Sequence, residues 1–190
     1  DEKGRSTPEP DLRAGVWFAR EVPRMAADLG TEPVLIVAAA VRGADAVVNL
    51  VGVLAEGGKR SFQAVHVEGS RRIAEAARAA GVERLVQISA IGADANSPSG
   101  YGRSKAEAEA AVRAVYPDAV ILRPSIVFGS GDSFLNRFAH MAAYGPGLPL
   151  IGGGHTRFQP VFVGDVAEVI ARAVDGQARP GCIYELGGPD

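Results

Sequence analysis

Short apolar runs alternate with helical patterns along most of this chain, and that alternation limits the fold more than any other feature. The strand-like runs cover 46–51, 84–89, 119–128, 158–163 and 183–186. The helical patterns between them cover 61–80, 101–115, 132–144 and 166–174. Continuous apolar runs suit strands that are buried on both faces, and the helices between them supply the crossovers. The sequence therefore predicts an α/β fold with a doubly wound parallel sheet and helices on both faces.

Composition excludes several other classes of protein. Hydrophobic residues make up 47% of the 190 residues and charged residues 22%, which is typical of one globular domain and not of a disordered chain. The net charge of −2 argues against a dedicated nucleic-acid binder. The single cysteine, Cys182, excludes an internal disulfide. No apolar run reaches the roughly 18–20 residues of a transmembrane segment.

Residues at the carboxyl ends of the predicted strands are the first candidates for a site. In open parallel sheets, ligands bind beyond these strand ends. The rule selects Val51-Gly52, Ser89 and the segment Pro124–Gly129 as the rim of a binding site.

The cluster most indicative of chemistry is Ser89 together with Tyr101 and Lys105. Tyr101 and Lys105 are four residues apart and share one face of a predicted helix. A lysine ammonium beside a phenol favours the phenolate, so we expect a lowered tyrosine pKa and a role in proton transfer at a carbonyl or hydroxyl carbon. The serine hydroxyl would hold the same oxygen. The alternative is a tyrosine near a helix start and a solvated Lys105 paired with Glu109, on a helix whose Glu107 and Glu109 form a solvated face.

Five separated stretches occur in the order seen in the short-chain dehydrogenase/reductase superfamily, and the chain resembles its extended, epimerase-like branch. They are 43–50, 81–89, 101–105, 121–129 and 160–167, and the chain closes with a further stretch of the same likeness, 184–189. Three further segments, 49–52, 89–93 and 151–161, resemble atypical members related to the nucleotide-binding accessory subunit of respiratory complex I. The resemblance covers residues 43–190 and extends to 25–29; residues 1–21 stay unassigned.

This resemblance implies a Rossmann-like fold that binds NAD or NADP. It implies that Ser89, Tyr101 and Lys105 are catalytic and lie around the nicotinamide and its ribose. The other cofactor-binding residues that it implies are Asp28 and Leu29 at the adenine, Val51 and Gly52 at the phosphate–ribose end, and Pro124, Ser125 and Ile126 along the nicotinamide.

The sequence also departs from the family pattern. No G-x-G-x-x-G turn, which brings backbone N–H groups to a pyrophosphate, follows any strand. We therefore expect the chain to lack the first β-α-β unit, to be truncated at both ends, and to bind cofactor weakly or not at all when alone. The 12-residue spacing from Ser89 to Tyr101 is typical of atypical members in which catalysis is often absent, and His66 stands where the branch usually has Asn.

Three functions remain open at this point. The first is a non-catalytic or weakly catalytic NAD(P)(H) binder like the complex I subunit. The second is an active reductase or epimerase that uses Tyr101 and Lys105, and the third is a truncated product that binds no cofactor and acts through protein contacts. The expected partners are a respiratory complex or a second copy of the chain, with no nucleic acid and with membrane association only through a complex. The expected location is the cytoplasm of a bacterial-type cell or the matrix side of an energy-transducing membrane.

Three structural expectations remain. Residues 1–190 form a single, incomplete domain, in which about 131–190 begin the substrate-side region. His66, His140 and His155 have no partner at metal-ligand spacing, so we expect no metal site. The strand at 46–51 would be an open, aggregation-prone edge, and we expect part of residues 1–30, including Val16–Phe18, to pair with it or cover it.

Overall fold

A computed structural model describes residues 16–18, 33–58, 60–132, 134–144, 153, 155 and 157–189. Its strands are β1 (Val16–Phe18), β2 (Ala46–Asn49), β3 (Arg84–Ile88), β4 (Val120–Pro124), β5 (Val127–Phe128), β6 (Val161–Phe162) and β7 (Ile183–Leu186). Its α-helices are α1 (Pro33–Ala40), α2 (Gly69–Ala79), α3 (Gly100–Val115), α4 (Phe134–Tyr144) and α5 (Val163–Val174). A π-helical segment, Gln63–Glu68, leads directly into α2.

The main sheet has five parallel strands in the order β1-β2-β3-β4-β7. Val47 lies opposite Leu85, and Val86 lies opposite Val120. All four of these side chains are buried. This confirms the predicted parallel sheet of continuous apolar strands.

Helices cover both faces of the sheet because successive strand residues point to opposite sides. Val47 and Leu85 pack with Ile73 and Ala77 of α2 and with Val112 of α3. On the opposite face, Val48, Val86 and Leu122 form a second cluster with Ala173 of α5. The described part of the chain is therefore a three-layer α/β arrangement.

The edge beside β2 is occupied by a strand from the N-terminal segment. β1 pairs in parallel with β2, and Trp17 lies opposite Val47. The prediction that part of residues 1–30 pairs with the strand at 46–51 is confirmed. In the described residues the strand order does not reverse, so the doubly wound order stays a prediction. The expectation that the chain lacks a glycine-rich β-α-β unit stays a prediction, because most of the N-terminal residues lie outside the described ranges.

Two predicted strands are shorter than expected and belong partly to another sheet. The run 119–128 divides into β4 and β5, and the run 158–163 narrows to β6. β5 and β6 form a separate two-stranded parallel sheet. The division follows Pro124, which has no N–H to donate to a continued ladder. The chain therefore leaves the main sheet at the point where a ligand-binding loop is expected.

The helix predicted over 61–80 begins with a π-helical turn. The Ser61 hydroxyl accepts a hydrogen bond from the Ala64 N–H (3.1 Å), and Glu56 accepts one from the Phe62 N–H (2.7 Å). The helix ends at Gly81, as predicted, with a φ of 72°. There the Val82 N–H donates to the Ala77 carbonyl and the Gly81 N–H to the Arg78 carbonyl, which is a Schellman end. π-Helical turns are frequent at functional sites, and this one contains the buried His66.

Deletion of residues 1–30 should lower solubility sharply, because it removes β1 and leaves the outer edge of β2 unpaired beside fully buried valines. The measurement is the soluble, monomeric fraction by size-exclusion chromatography, compared with the full chain. A 31–190 chain that stays monomeric and unfolds cooperatively would show that the sheet tolerates an open edge at β2.

Candidate functional site

A cavity of about 1020 Å³ opens beyond the carboxyl ends of β3 and β4. Tyr101 from α3 and the segment Pro124–Val127 from the end of β4 line one part of it. Phe134 from α4 and the segment 157–160 before β6 line another part. Four of the sequence-predicted site residues, Tyr101, Pro124, Ser125 and Ile126, are thus brought together.

Helix α3 can approach the loop before it only because Gly102 has no side chain. A Cβ at this position would lie 2.5 Å from Ser97 Oγ and 3.2 Å from the Gly92 carbonyl oxygen. Both distances are shorter than ordinary contacts, so a larger residue would displace the loop. Gly102 therefore fixes the start of the helix that carries Tyr101 and Lys105.

Lys105 is buried, with 5% of its surface exposed, and does not form the solvated pair with Glu109 that was the alternative expectation. Its ammonium donates to the Ile88 carbonyl at the end of β3 (3.1 Å). Burial lowers its pKa from 10.5 to about 8, although the Glu109 carboxylate opposes the shift. A Cβ on Gly52 would lie 3.8 Å from the Lys105 ammonium. The lysine is therefore held between the ends of β2 and β3.

His66 is a buried connection between the loop after β2 and helix α3. Ser104 Oγ donates to the Tyr101 carbonyl (2.8 Å) and lies within hydrogen-bond distance of His66 Nδ1 (2.9 Å). The other ring nitrogen, Nε2, faces the backbone of Val53, 3.0 Å from its nitrogen and 3.1 Å from its carbonyl oxygen. Burial, and secondarily the Lys105 charge, lowers the pKa of His66. The ring is therefore neutral at pH 7 and joins two backbone segments of the site.

Tyr101 lies in an aromatic group with Phe62 and His66. The Tyr101 ring meets the His66 ring edge-on at 5.5 Å and the Phe62 ring at 5.9 Å, while Phe62 stacks on His66 at 5.2 Å. Burial raises the pKa of Tyr101. The expected lowering by Lys105 is wrong for this state, because desolvation of the phenol dominates and the lysine ammonium is bound to the Ile88 carbonyl.

Ser89 is held by a buried ion pair. Its hydroxyl donates to Glu109 Oε1. Glu109 in turn receives two hydrogen bonds from Arg123, Nε to Oε1 at 2.9 Å and Nη2 to Oε2 at 2.7 Å. The expectation of a solvated face is wrong for Glu109, which is 5% exposed, whereas Glu107 is exposed as expected. Hydrogen bonding to Glu109 raises the pKa of Arg123.

A second buried polar group fixes the ends of β2 and β3. The Asn49 amide donates to Ser70 Oγ (3.1 Å) and to Gln87 Oε1 (2.8 Å), and Asn49 Oδ1 accepts the Val51 N–H (3.0 Å). The Gln87 amide donates to the Ile88 carbonyl (3.1 Å), which also accepts the bond from Lys105. These bonds hold the loop at Val51 and Gly52 against the sheet.

The predicted site residues fall into three groups. Tyr101, Pro124, Ser125 and Ile126 line the cavity, whereas Val51, Gly52, Ser89 and Lys105 lie at the adjoining strand ends. Asp28 and Leu29 lie outside the described residues. Among the residues that the structure describes, no group of three or more His, Cys, Asp and Glu side chains is placed to hold a metal ion.

Sequence reasoning missed four residues of this site: His66, Ser104, Glu109 and Arg123. Glu109 carried a usable signal, since it follows Lys105 by four residues on the same helical face. Arg123 also carried one, since a charge inside an apolar strand requires a partner. Contacts of His66 and Ser104 span 38 residues and have no local signal.

Comparison with known proteins agrees with this geometry. Residues 10–187 match the model of the NAD dependent epimerase/dehydratase family. The chain belongs to the NAD dependent epimerase/dehydratase family. This confirms the family resemblance identified from the sequence.

Relatives within this family include respiratory-complex and enzyme proteins. The chain is 42% identical to NADH dehydrogenase (ubiquinone) 1 alpha subcomplex subunit 9, mitochondrial, of Arabidopsis thaliana, over 77% of this chain and 37% of the relative. It is 37% identical to a ceramide reductase of Caulobacter vibrioides, over 71% of this chain and 42% of the relative. The chain thus spans about two fifths of the length of these curated relatives.

A solved structure supports the family fold. The dTDP-glucose 4,6-dehydratase of Streptomyces venezuelae, with NAD and TYD bound, superposes with a TM-score of 0.69 at 27% identity. The match covers 83% of this chain and 56% of that chain. The superposition supports the α/β fold of the described part of this chain. In the described residues, no helix is long and apolar enough to cross a membrane.

Substitution of His66 should remove part of the acid sensitivity of the fold. The folded-state pKa of His66 is below 6.5, so the unfolded chain binds more protons as the pH falls through that value. The contribution of neutral His66 to the free energy of unfolding is therefore complete above about pH 6.5 and decreases below it. Urea unfolding at about pH 7.5 and about pH 5.5 should show a smaller difference for His66→Asn than for the unchanged chain.

His140→Asn is the matched control for this pH effect, since His140 is an exposed histidine on α4. It should keep the pH dependence of the unchanged chain. Lys105 does not interfere, because its titration lies between about 8 and 10.5. An unaltered slope in His66→Asn would show that other groups cause the acid sensitivity.

Removal of the arginine from the buried ion pair should be strongly destabilising. Arg123→Met leaves the Glu109 carboxylate buried without a cation, and we expect a loss of about 3–5 kcal/mol in the free energy of unfolding. The control is Arg172→Met in the exposed Arg172–Glu168 pair of α5, for which we expect about 0.3–0.5 kcal/mol. The double variant Arg123→Met/Glu109→Gln should recover part of the loss. Equal losses in Arg123→Met and in the control Arg172→Met would contradict the burial argument.

Proposed function

We propose that this protein is an NAD(P)(H)-binding member of its family that is non-catalytic or weakly catalytic and acts as an accessory subunit of a respiratory complex. Its bound nucleotide would serve structure or redox sensing more than turnover. The proposal combines the family membership with the way in which Ser89, Tyr101 and Lys105 are held.

The observation that carries the proposal is the state of Ser89. Its only hydroxyl proton is donated to Glu109, whose carboxylate is fixed by two bonds from Arg123. Donation to a substrate oxygen would break a charge-assisted hydrogen bond inside a buried network. Tyr101 is also unsuited to proton transfer at neutral pH as it stands, because its pKa is raised.

The described residues fit the nicotinamide end of a dinucleotide. Pro124, Ser125 and Ile126 offer a largely apolar surface in the cavity that Tyr101 also lines. The absent side chain of Gly52 leaves room beside the Lys105 ammonium, whose charge suits a ribose hydroxyl or a phosphate. The nucleotide, when bound, supplies hydride-transfer chemistry. Asp28 and Leu29, proposed for the adenine end, lie outside the described residues.

Partners and location follow from the relatives. The Arabidopsis relative is named as a mitochondrial subunit of NADH dehydrogenase. By analogy, we propose attachment to a respiratory complex on the matrix side of an energy-transducing membrane, or on the cytoplasmic side in a bacterial-type cell. The membrane contact would be made through the complex.

A second candidate function is an active reductase that uses Tyr101 and Lys105. It is favoured by the Tyr101 hydroxyl, which makes no hydrogen bond among the described residues and belongs to a residue that lines the cavity. The name of the Caulobacter relative, ceramide reductase, also supports it. In this case, bound nucleotide and substrate would have to release Ser89 from Glu109 and lower the pKa of Tyr101.

Nuclear magnetic resonance with NADPH tests nucleotide binding by the chain. We expect weak binding, near the millimolar range, because the sequence contains no G-x-G-x-x-G turn. Amide shifts should concentrate at Gly52, Tyr101 and Ser125. Lys105→Met should reduce the shifts, whereas Arg113→Met, an exposed residue of the same helix, should not.

Tyr101→Phe separates the two candidate functions. If the protein only binds nucleotide, this variant should leave the NADPH shifts unchanged, and neither form should oxidise NADPH with carbonyl compounds. Turnover that Tyr101→Phe reduces by about 10²–10⁴-fold would establish the reductase instead. The absence of localised shifts at saturating NADPH would contradict both and favour a chain that binds no cofactor and acts through protein contacts.

A further inference from the structure

The cavity beside Tyr101 has a lining that is unusual for a site that holds a sugar. Among the described residues, ten of the fourteen that line it are apolar, and none is a carboxylate. The polar ones are Tyr101, Ser125, Arg157 and Gln159. The Gln159 side-chain amide already donates to the Gly188 carbonyl (2.8 Å). A sugar ring would lose bonds to water at several hydroxyls and regain few here, which is unfavourable.

Several apolar side chains of the cavity are exposed to solvent, and a bound ligand would cover them. Leu54 is 86% exposed, Phe158 is 48% exposed and Ile91 is 43% exposed. All three line the cavity, and Phe158 packs against Phe134 with ring centroids 5.8 Å apart. Apolar side chains grouped around one concave surface gain free energy when a hydrocarbon covers them.

Arg157 gives the cavity one positive charge. Within the described residues its guanidinium has no ion pair and no hydrogen bond. No acidic side chain in the described lining competes for it. An arginine in this position suits a carboxylate or another anionic oxygen group, which it can bind with two parallel hydrogen bonds.

We propose that this cavity binds an anionic amphiphile with a single hydrocarbon chain. The hydrocarbon chain of the ligand lies against Leu54, Ile91, Phe134 and Phe158, and its anionic head group pairs with Arg157. The proposal rests on the proposed function in that both use the same cavity, with the nucleotide placed at Pro124–Ile126. The cavity volume of about 1020 Å³ is at the upper end of the roughly 300–1,000 Å³ of small-molecule sites.

The test is a fluorescence titration of the full chain with cis-parinaric acid, an 18-carbon fatty acid that becomes fluorescent in apolar surroundings. We expect saturable binding that palmitate displaces and UDP-glucose does not. Leu54→Asp and Arg157→Glu should each weaken binding by about tenfold or more. The matched controls are Leu135→Asp and Arg179→Glu, which change an exposed leucine and an exposed arginine outside the cavity lining and should leave binding unchanged.

The methyl ester of the same probe separates the two parts of the proposal. Without its negative charge, it should lose its sensitivity to Arg157→Glu and keep its sensitivity to Leu54→Asp. Displacement by UDP-glucose would indicate a sugar nucleotide site and overturn the proposal. Non-saturable binding, or equal effects of the site and control variants, would overturn the proposal as well. Either result would be expected if another protein, and not an amphiphile, covers this apolar surface.

Parallel titrations with NADPH distinguish this proposal from the proposed function. Saturable parinaric acid binding without any NADPH binding would support the amphiphile site and contradict the nucleotide binder. NADPH binding without parinaric acid binding would contradict the amphiphile site alone. The parinaric acid measurement is therefore made both in the absence and in the presence of NADPH.

Discussion

The architecture of the site depends on the burial of a charged face of helix α3. Lys105 and Glu109, one turn apart, are each 5% exposed, which is costly for ionised groups unless every charge has partners. Lys105 is satisfied by the Ile88 carbonyl and Glu109 by Arg123 and Ser89. Because these partners come from the ends of β3 and β4, the helix can take only one position along the sheet.

A similar requirement holds the loop after β2. His66 bonds to Val53 on one side and to Ser104 on the other, and Asn49 accepts the Val51 N–H. The loop that would face a nucleotide is therefore fixed by buried side chains of α2's π-helical entry and of β2. No buried side-chain polar atom in the described residues lacks a hydrogen-bond partner, so the polar groups of the site are satisfied before any ligand binds.

The same bonds that build the site restrain its chemistry. Ser89 donates its hydrogen bond to Glu109, and burial of the phenol raises the pKa of Tyr101. A nucleotide binder can retain this arrangement, whereas a reductase would need to rearrange it in each cycle. The apolar cavity beyond Tyr101, with Arg157 in its lining, is a separate property that neither function requires.

The sequence by itself determined the parallel α/β layering, because long apolar runs and amphipathic helices have few other ways to bury their surfaces. It also determined the family and placed Val51-Gly52, Ser89 and Pro124–Gly129 at one strand-end rim, since carboxyl ends of parallel strands share an edge. Local patterns were sufficient for these features, including the helix end at Gly81.

Only the tertiary structure decided how the polar residues are used. Glu109 looked like a member of a solvated face until Arg123, 14 residues away on β4, was brought against it. His66 and Ser104 meet across 38 residues, and the Tyr101 pKa follows from burial and not from its spacing to Lys105. Desolvation and long-range pairing are properties of the packed molecule, so residue spacing alone does not contain them.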